Sequence, residues 1–355
     1  MNKKEIKQSI RKIIRKNHFF ATLLDIRIML KTNKKMISDL GEGKGEILYF
    51  QNLGDLNPDK YIYLTGFSDC GVSLGGICGI LRKDLIELEF IDKFNLTPVI
   101  EYRNSVLTEK NPINGTTNAF EYYYEQISGI SPEDALKSRH VCIHRDANAL
   151  CRDIPFDYDI TDEHLERLGK IYKKYFKLNN QTEKSINEDI QTLFKNKPTL
   201  GVNIRGTDFN RGYDGHPVAV KAEQLMVHID EILEKRNIEQ IFIATDDQRL
   251  LEEFVERYGD KALYFKDVRR ETSDEPVMHV NYLENEDGIK YRGGYECLRD
   301  VYALVACDSL VAGFSGVEAM AQIIKKSKAE SYNERKIVSN GVYVHGKDPM
   351  VHPNR

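Results

Sequence analysis

Between residues 198 and 327 the sequence alternates short apolar runs with longer amphipathic segments. TLGVNIRG, QIFIATDD, KALYFKD and SLVAGFSG have the character of strands, and the segments that follow them have the length and spacing of helices. Strands that alternate with helices of this length require a parallel sheet with right-handed crossovers. The second half of the chain is therefore predicted to be a doubly wound α/β domain.

The first half of the chain has a weaker pattern of the same kind. Residues 61–101 read as strand, small-residue loop, helix and strand, which is one βαβ unit with a glycine-rich crossing. Residues 102–155 are irregular and aromatic, which is typical of acceptor-side loops or of plain surface. Residues 161–195 indicate one or two charged helices. Residues 1–36 are basic, with isoleucines at helical spacing, and predict an amphipathic helix.

The composition limits the classes of function. The chain has 355 residues, of which 41% are hydrophobic and 30% charged, so it is predicted to be globular and large enough for two domains. Its net charge of -4 argues against general nucleic-acid binding. No apolar run has the length of a transmembrane helix, and the start of the chain carries lysines and arginines instead of a signal peptide's apolar block.

Six cysteines without a CxxC spacing favour reduced thiols over a zinc site. We therefore expect a cytoplasmic protein. The basic segment 1–36 either packs on its own domain or makes a peripheral contact with anionic lipid.

Ligands of an open parallel α/β sheet bind beyond the carboxyl ends of its strands. Reading those ends in chain order gives one set of candidate residues: Arg205, Gly206, Thr207 and Asp208; Thr245, Asp246 and Asp247; Lys266 and Asp267, followed by Arg269 and Arg270; and Gly313, Phe314, Ser315, Gly316 and Val317.

Each of these candidates also has a purely structural interpretation. Arg205 could be an ion-pair partner of Asp208 that holds its own loop. The segment 245–247 could be an N-cap for the next helix, and 313–316 could be no more than a tight strand-to-helix turn. All of them nevertheless converge on one edge of one sheet, which favours a shared ligand.

The chemistry of the set suits a nucleoside diphosphate. A helix that begins at Ser315, Gly316 and Val317 offers backbone amides to a phosphate, and Arg205 adds a bidentate donor. Carboxylates at Asp246 and Asp247 suit a ribose or the amide edge of a base. These two carboxylates could instead hold Mn²⁺ or Mg²⁺ against a pyrophosphate, but they lack a DxD arrangement, so we expect no metal.

The same residues resemble the donor-binding half of the GDP-fucose-dependent fucosyltransferases, the superfamily of the α-1,6-fucosyltransferases, the rhizobial nodulation fucosyltransferase and the protein O-fucosyltransferases. The likeness lies in IRGTD, FIATDD, GGYECLRDVYALVACDSLV and GFSG, and more faintly in SDCGVSLGG and the helix and strand after it. It covers residues 60–101 and 198–325.

The resemblance implies a GT-B-like fold with two Rossmann-like domains facing a cleft. It divides the chain into a basic helical segment (1–36), an acceptor-side domain (37–195) and a donor-binding domain (196–355). It also implies inverting transfer of L-fucose from GDP-fucose, as substrate, to a glycan or other hydroxyl acceptor. Arg205 would grip the pyrophosphate, residues 245–247 would lie by the nucleoside, and Ser315 with Gly316 would meet the phosphates.

The general base is not identified by the sequence, and Asp69, Glu101 and Asp208 are its candidates. The chain departs from the family beside Arg205, where a histidine or a second arginine is common and this chain has Asn203, Ile204 and Gly206. It also departs at the serine turn, which is often a double serine and is Phe314-Ser315-Gly316 here. The HP step at 216–217 is more similar to a bacterial branch with unassigned acceptors. Two alternatives stay open: a GT-B transferase with a different nucleotide sugar, and a catalytically silent nucleotide-sugar-binding protein.

Overall fold

The computed structural model describes residues 23, 26, 27, 50–65, 76–102, 105–143, 160–212, 216–274, 286–344 and 347–350. The chain forms two compact units. The first comprises residues 1–66, 87–101 and 126–155, and the second comprises residues 67–86, 102–125 and 156–355. The domain boundaries expected after residues 36 and 195 stay a prediction.

The first unit contains a three-stranded parallel sheet. Its described elements are β1 (Ile62–Thr65), the second half of α1 (Ile77–Phe94), β2 (Thr97–Ile100), α2 (Pro132–Ala135) and β3 (Val141–Ile143). The strand order is β2-β1-β3, so β1 lies in the centre and is buried along its whole length. The predicted strand, helix and strand of the βαβ unit are confirmed, and the glycine-rich crossing at 66–75 lies outside the described residues.

The second unit contains the doubly wound sheet that the alternating sequence predicts. Its described elements, after the first half of α1, are α3 (Asp162–Tyr175), α4 (Asn180–Phe194), β4 (Thr199–Ile204), α5 (Ala222–Lys235), β5 (Gln240–Thr245), α6 (Gln248–Tyr258), β6 (Ala262–Leu263), α7 (Ile289–Ala306), β7 (Ser309–Gly313), α8 (Gly316–Ser327), β8 (Arg335–Val338), β9 (Val342–Val344) and β10 (Lys347–Met350). Strands β4 to β8 form one parallel sheet in the order β6-β5-β4-β7-β8. The order reverses at β4, so right-handed crossovers put α5 and α6 on one face and α7 and α8 on the other. The α/β class with parallel sheets is confirmed.

Strand β4 is the centre of this sheet, between β5 and β7. All six of its residues are buried, and Leu200, Val202 and Ile204 pack in a core with α5 and α6. A strand with neighbours on both sides and helices on both faces needs the near-continuous apolar run that the sequence has here. The polar residues that follow Ile204 are therefore delivered to the sheet's carboxyl edge.

Two predictions about the strands are corrected. The third strand was expected to reach Asp267, but β6 ends at Leu263 because it is an edge strand with β5 as its one partner in the sheet. Beyond it the chain turns, and the ring of Phe265 packs edge-on against Phe242 at 5.4 Å. Strand β8 was not expected, since its exposed Arg335 and Lys336 hide it from an apolar pattern.

The prediction that residues 102–155 are irregular is wrong for α2 and β3. The aromatic stretch before residue 125 is irregular, but it is neither loop surface nor exposed. Phe120, Tyr122, Tyr123 and Tyr124 are fully or almost fully buried in the second unit. The hydroxyl groups of the three tyrosines find partners there: that of Tyr123, for example, donates to the carbonyl of Tyr291 at 2.8 Å. Consecutive aromatic residues can all be buried here because the backbone does not alternate as a strand would.

The basic segment 1–36 lies outside the described residues, except for Leu23, Ile26 and Arg27, which are helical. Among the helices that the structure describes, none is long and apolar enough to cross a membrane.

Candidate active site

Arg205 leaves the end of β4 and is held by two carboxylates. Its Nη2 lies 2.7 Å from Asp208 Oδ1, and its Nη1 lies 3.2 Å from Asp246 Oδ2. Its guanidinium carbon stands 5.1 Å from the ring centre of Phe209. Burial lowers the pKa of Arg205, but Asp246 and Asp208 more than offset this effect and raise the pKa overall. The ion pair with Asp208 that a structural role requires is present, together with a second pair.

The turn after Arg205 is fastened to the end of β5. The amide of Gly206 donates to Asp246 Oδ1 at 3.1 Å, and the hydroxyl of Thr207 donates to Asp246 Oδ2 at 2.6 Å. The amide of Thr207 donates to Asp247 Oδ2 at 3.2 Å. These bonds hold Thr207 at a φ of +40°, which is rare for a β-branched residue. The carboxylates of β5 therefore fix the conformation from which Arg205 projects.

Gly206 is required by this arrangement. A Cβ built at Gly206 would lie 2.5 Å from the Cβ of Asp247, well inside contact distance. Asp247 is itself buried, caps α6 by accepting from the amide of Arg249 at 2.9 Å, and pairs with the Arg249 guanidinium. The second arginine that is common in the similar family has no room at this position.

Ser315 begins α8 with a reciprocal capping arrangement. Its hydroxyl accepts from the amide of Glu318 at 3.0 Å, and the Glu318 carboxylate accepts from the amide of Ser315 at 3.2 Å. The same hydroxyl donates to Asn203 Oδ1 at 2.6 Å, which joins α8 to β4. The first-turn amides of Gly316 and Val317 have no hydrogen-bond partner among the described residues. They are the orphan donors that a helix N-terminus can offer to an anion.

A cavity of about 700 Å³, partly open to solvent, lies at this edge of the sheet, within the second unit. Its lining residues come from the ends of β4 and β5, the starts of α1 and α8, the loop after β6 and one face of α7: Asn203, Arg205, Ala244, Thr245, Asp246, Gly76, Ile77, Val317, Val268, Arg269, Gly293, Glu296, Cys297 and Asp300. Five of the predicted residues, Arg205, Thr245, Asp246, Arg269 and Val317, therefore meet around one space.

Other predicted residues stand outside this lining. Asp247 lies behind the turn, as described above, and Gly313 packs against Val220. Asp208 is one of the two carboxylates that hold Arg205. Glu101 is buried just beyond β2 in the first unit, and Asp69 lies outside the described residues. The roles expected for all of them stay predictions.

The wall formed by α7 was missed by the sequence reasoning. Gly293, Glu296, Cys297 and Asp300 follow the spacing of one helical face, and all four line the cavity. Two carboxylates four residues apart on a mostly buried helix were the available signal, because buried acidic residues are rare without a function or a partner.

The two acidic residues of this wall have perturbed pKa values. Burial raises the pKa of Asp300 to about 7, against the lowering effect of Arg270 and Arg299. Burial also raises the pKa of Glu296, whose carboxylate accepts from the amide of Arg269 at 3.1 Å. Strongly perturbed acids in the wall of a cavity are candidates for ligand contact.

No three histidine, cysteine, aspartate or glutamate side chains cluster as metal ligands within the part of the chain that the structure describes. The expectation of a reaction without a metal is not tested by this observation.

Fold and cavity together place a candidate ligand site at the carboxyl edge of a parallel sheet. Residues 167–332 match the family model of the α-(1,6)-fucosyltransferase N- and catalytic domains. The matched segment includes the whole of β4 to β7 and α8, and the enzyme is a glycosyltransferase. The resemblance to the GDP-fucose-dependent superfamily is confirmed.

Several solved structures are similar to the chain. A NodZ α-1,6-fucosyltransferase soaked with GDP-fucose is 13% identical, with a TM-score of 0.46 over 75% of this chain and 92% of that one. NodZ from Bradyrhizobium is 14% identical, with a TM-score of 0.42 over 75% and 92%. POFUT1 in complex with GDP is 12% identical, with a TM-score of 0.42 over 79% and 98%. No curated protein sequence matches the chain.

Proposed function

We propose that this glycosyltransferase moves L-fucose from GDP-fucose to a hydroxyl group of a glycan or other acceptor, with inversion and without a metal. The observation that carries the proposal is the meeting of Arg205, the start of α8 and the acidic face of α7 around one cavity, inside the segment that matches the fucosyltransferase family.

The positive groups of the cavity support a diphosphate. Arg205 uses one nitrogen for each of its two carboxylates, so part of its five-donor guanidinium stays available for phosphate oxygens. The amides of Gly316 and Val317 add the positive end of the α8 dipole. Arg269, also in the lining, adds a second cation near the cavity.

The acidic wall supports guanine over other bases. Guanine presents two adjacent donors, N1–H and the N2 amino group, which one carboxylate can accept as a pair. Uracil has a single N–H donor, and adenine has only its amino group. Asp300 and Glu296 supply carboxylates in the same cavity as Arg205, and we assign Asp300 to the guanine edge because its Oδ1 has no hydrogen-bond partner among the described residues.

In the proposed reaction the bond between C1 of the sugar and the β-phosphate oxygen breaks, and its electron pair stays on the departing diphosphate. The acceptor oxygen attacks C1 from the opposite face through an oxocarbenium-like transition state. Arg205 and the amides at the start of α8 stabilise the charge that grows on the diphosphate, which is electrostatic catalysis by preorganised donors. The acceptor proton passes to a base, for which Asp69, Glu101 and Asp208 remain the candidates.

The location is part of the proposal. Cys78, Cys142, Cys297 and Cys307 are free thiols, which suits a reducing cytoplasm. Attachment of the basic segment 1–36 to an anionic membrane surface is the alternative to a freely diffusing enzyme.

A donor screen tests the function. The full chain is incubated with GDP-fucose, GDP-mannose and UDP-sugars over an array of glycan acceptors, and release of the nucleoside diphosphate is measured with and without acceptor. We expect acceptor-dependent release of GDP from GDP-fucose. Release from another nucleotide sugar alone would replace the donor, and nucleotide binding without turnover on any acceptor would favour a silent binding protein.

A further inference from the structure

Two cysteines meet at the wall of the cavity. Cys78 belongs to the first turn of α1, and Cys297 belongs to the cavity face of α7, yet their sulfur atoms lie 3.6 Å apart across 219 residues of sequence. Both are free thiols. Neither has a part in the sugar transfer proposed above.

We propose that Cys78 and Cys297 form a redox modification site, at which a small organic disulfide such as oxidised glutathione converts the two thiols to a Cys78–Cys297 disulfide. The bond requires the sulfur atoms to approach from 3.6 Å to about 2.05 Å. This is a small movement for two side chains on separate helices.

The positions of the two thiols determine the order of the steps. Cys297 is half-buried in the cavity wall and can be reached from the cavity, whereas Cys78 is buried behind it. The hydrogen bond with Cys297, together with burial, raises the pKa of the Cys78 thiol, which disfavours it as the first nucleophile. The charge of Arg205 lowers the pKa of Cys78 but does not offset this rise.

The thiol–disulfide exchange proceeds in two steps. Cys297 loses its proton to solvent, and its thiolate attacks one sulfur of the small disulfide, which releases one thiolate and leaves a mixed disulfide on Cys297. Cys78 in turn loses its proton and attacks the Cys297 sulfur, which releases the second thiolate. Two electrons pass from the protein dithiol to the small disulfide, and two small thiols are formed once the released thiolates take up protons.

The disulfide would act on the shape of the cavity. Cys78 adjoins the start of α8, since a Cβ built at Gly316 would lie 3.4 Å from the Cβ of Cys78. Drawing the two sulfur atoms together would therefore alter the packing of Cys78 against the start of α8, where the phosphates would bind. This consequence for nucleotide binding rests on the proposed function, whereas formation of the disulfide does not.

Peptide mapping of the oxidised protein tests the site. The reduced full chain is equilibrated with reduced and oxidised glutathione over a range of ratios, alkylated, and mapped by mass spectrometry under non-reducing conditions. We expect a Cys78–Cys297 crosslink that dithiothreitol reverses. It should be absent in Cys78→Ser and Cys297→Ser and retained in Cys307→Ala, the matched control, which removes a buried thiol just beyond the C-terminal end of α7.

Three results would overturn the site: no crosslink at any ratio, a crosslink of Cys297 to Cys70 or Cys151, or a glutathione adduct on Cys297 that Cys78 never displaces. The Cys78→Ser variant distinguishes the last case. If Cys78 normally displaces glutathione from Cys297, the adduct must accumulate in this variant.

A second measurement tests the effect on the cavity. Because a misplacement of about 1 Å in an active site costs on the order of a hundredfold in rate, we expect turnover of GDP-fucose to fall by about that factor on oxidation and to recover on reduction. Oxidised protein that is fully crosslinked and equally active would refute this coupling. If the reduced protein neither binds nor turns over any GDP-sugar, the proposed function fails, while a mapped crosslink still supports the redox site.

Discussion

Replacing Asp300 is the most direct test of whether the carboxylates of α7 that line the cavity recognise the base of the nucleotide. Its side chain is 7% exposed, its Oδ1 has no hydrogen-bond partner in the described part of the chain, and it lines the cavity. Burial raises its pKa from 3.8 to about 7. A carboxyl group in this state stabilises the folded chain only while it is protonated, so a neutral replacement should be tolerated better than the native residue.

The expected change in stability follows from proton linkage. Because the pKa of Asp300 is higher in the folded than in the unfolded state, its stabilising contribution is fully present below pH 3.8 and is lost as the pH rises through about 7. A pKa difference of that size corresponds to a change in the free energy of unfolding on the order of 4 kcal/mol. We therefore expect Asp300→Asn to be more stable than the native protein at pH 8, by up to about this amount, and to show no gain at pH 4.

The same substitution should weaken the binding of GDP. Hydrogen bonds to a charged group contribute about 1.5–3 kcal/mol, so the loss of the carboxylate should raise the Kd for GDP by roughly one to two orders of magnitude. Inosine diphosphate, which lacks the N2 amino group, is the matched ligand. The native protein should prefer GDP over inosine diphosphate, and Asp300→Asn should largely lose this preference. Titration calorimetry at pH 8 measures both affinities, and thermal unfolding at pH 4 and pH 8 measures stability.

Asp267→Asn is the matched control for stability, with the opposite sign. A hydrogen bond from Arg299 lowers the pKa of Asp267, so this carboxylate stabilises the fold above its ordinary pKa of 3.8, and its loss should destabilise the protein at pH 8. An Asp300→Asn protein that is destabilised at both pH values, with unchanged preference for GDP, would refute the reasoning: Asp300 would then be a structural anchor for Arg270 and Arg299 and no reader of the base.

Three further predictions concern the turn after β4. Arg205→Ala should lower turnover by on the order of a hundredfold to a thousandfold. Arg205→Lys should restore little of it, because an ammonium group cannot form the planar, two-pronged contact of a guanidinium. A folded Arg205→Ala enzyme with normal turnover, or an equal loss of melting temperature in Asp208→Asn, would instead favour the purely structural ion pair. Gly206→Arg, which supplies the arginine common in the family, should lower the melting temperature by displacing Asp247, and a variant as stable as the native protein would show that the turn can adapt. EDTA should leave turnover unchanged, and activity that vanished with EDTA and returned with Mn²⁺ would make Asp246 a metal ligand.

The sheet could be predicted from the sequence because burial on both faces leaves an unmistakable pattern. β4, β5 and β7 are short apolar runs between helices, and each has at least one polar residue just beyond its end. Edge strands lack this signature: β6 pairs on one side for two residues, and β8 carries charged side chains. A continuous apolar run reflects burial on both faces, so it does not mark strands at the edge of a sheet.

The site was predictable only in part, for a related reason. Strand ends converge by topology, so Arg205, Thr245 and Asp246 could be grouped without knowing any distance. The contribution of α7 depends on which face of that helix turns toward the cavity, and helical spacing alone allows several faces. Likewise the sequence could not separate Asp246, which faces Arg205, from Asp247, which is buried as the cap of α6.

The hydrogen bonding of Arg205 in the free protein favours a role in ligand binding for this side chain. Asp208 and Asp246 each take one terminal nitrogen, which orients the guanidinium, while its Nε is buried and has no hydrogen-bond partner among the described residues. An unsatisfied buried donor costs about 1–3 kcal/mol, and more when the group is charged. A role limited to the two ion pairs leaves that cost uncompensated. An arginine that is fixed in orientation and keeps further N–H donors on its two terminal nitrogens is instead prepared for an anion, and these donors would stabilise the charge that develops on a departing diphosphate.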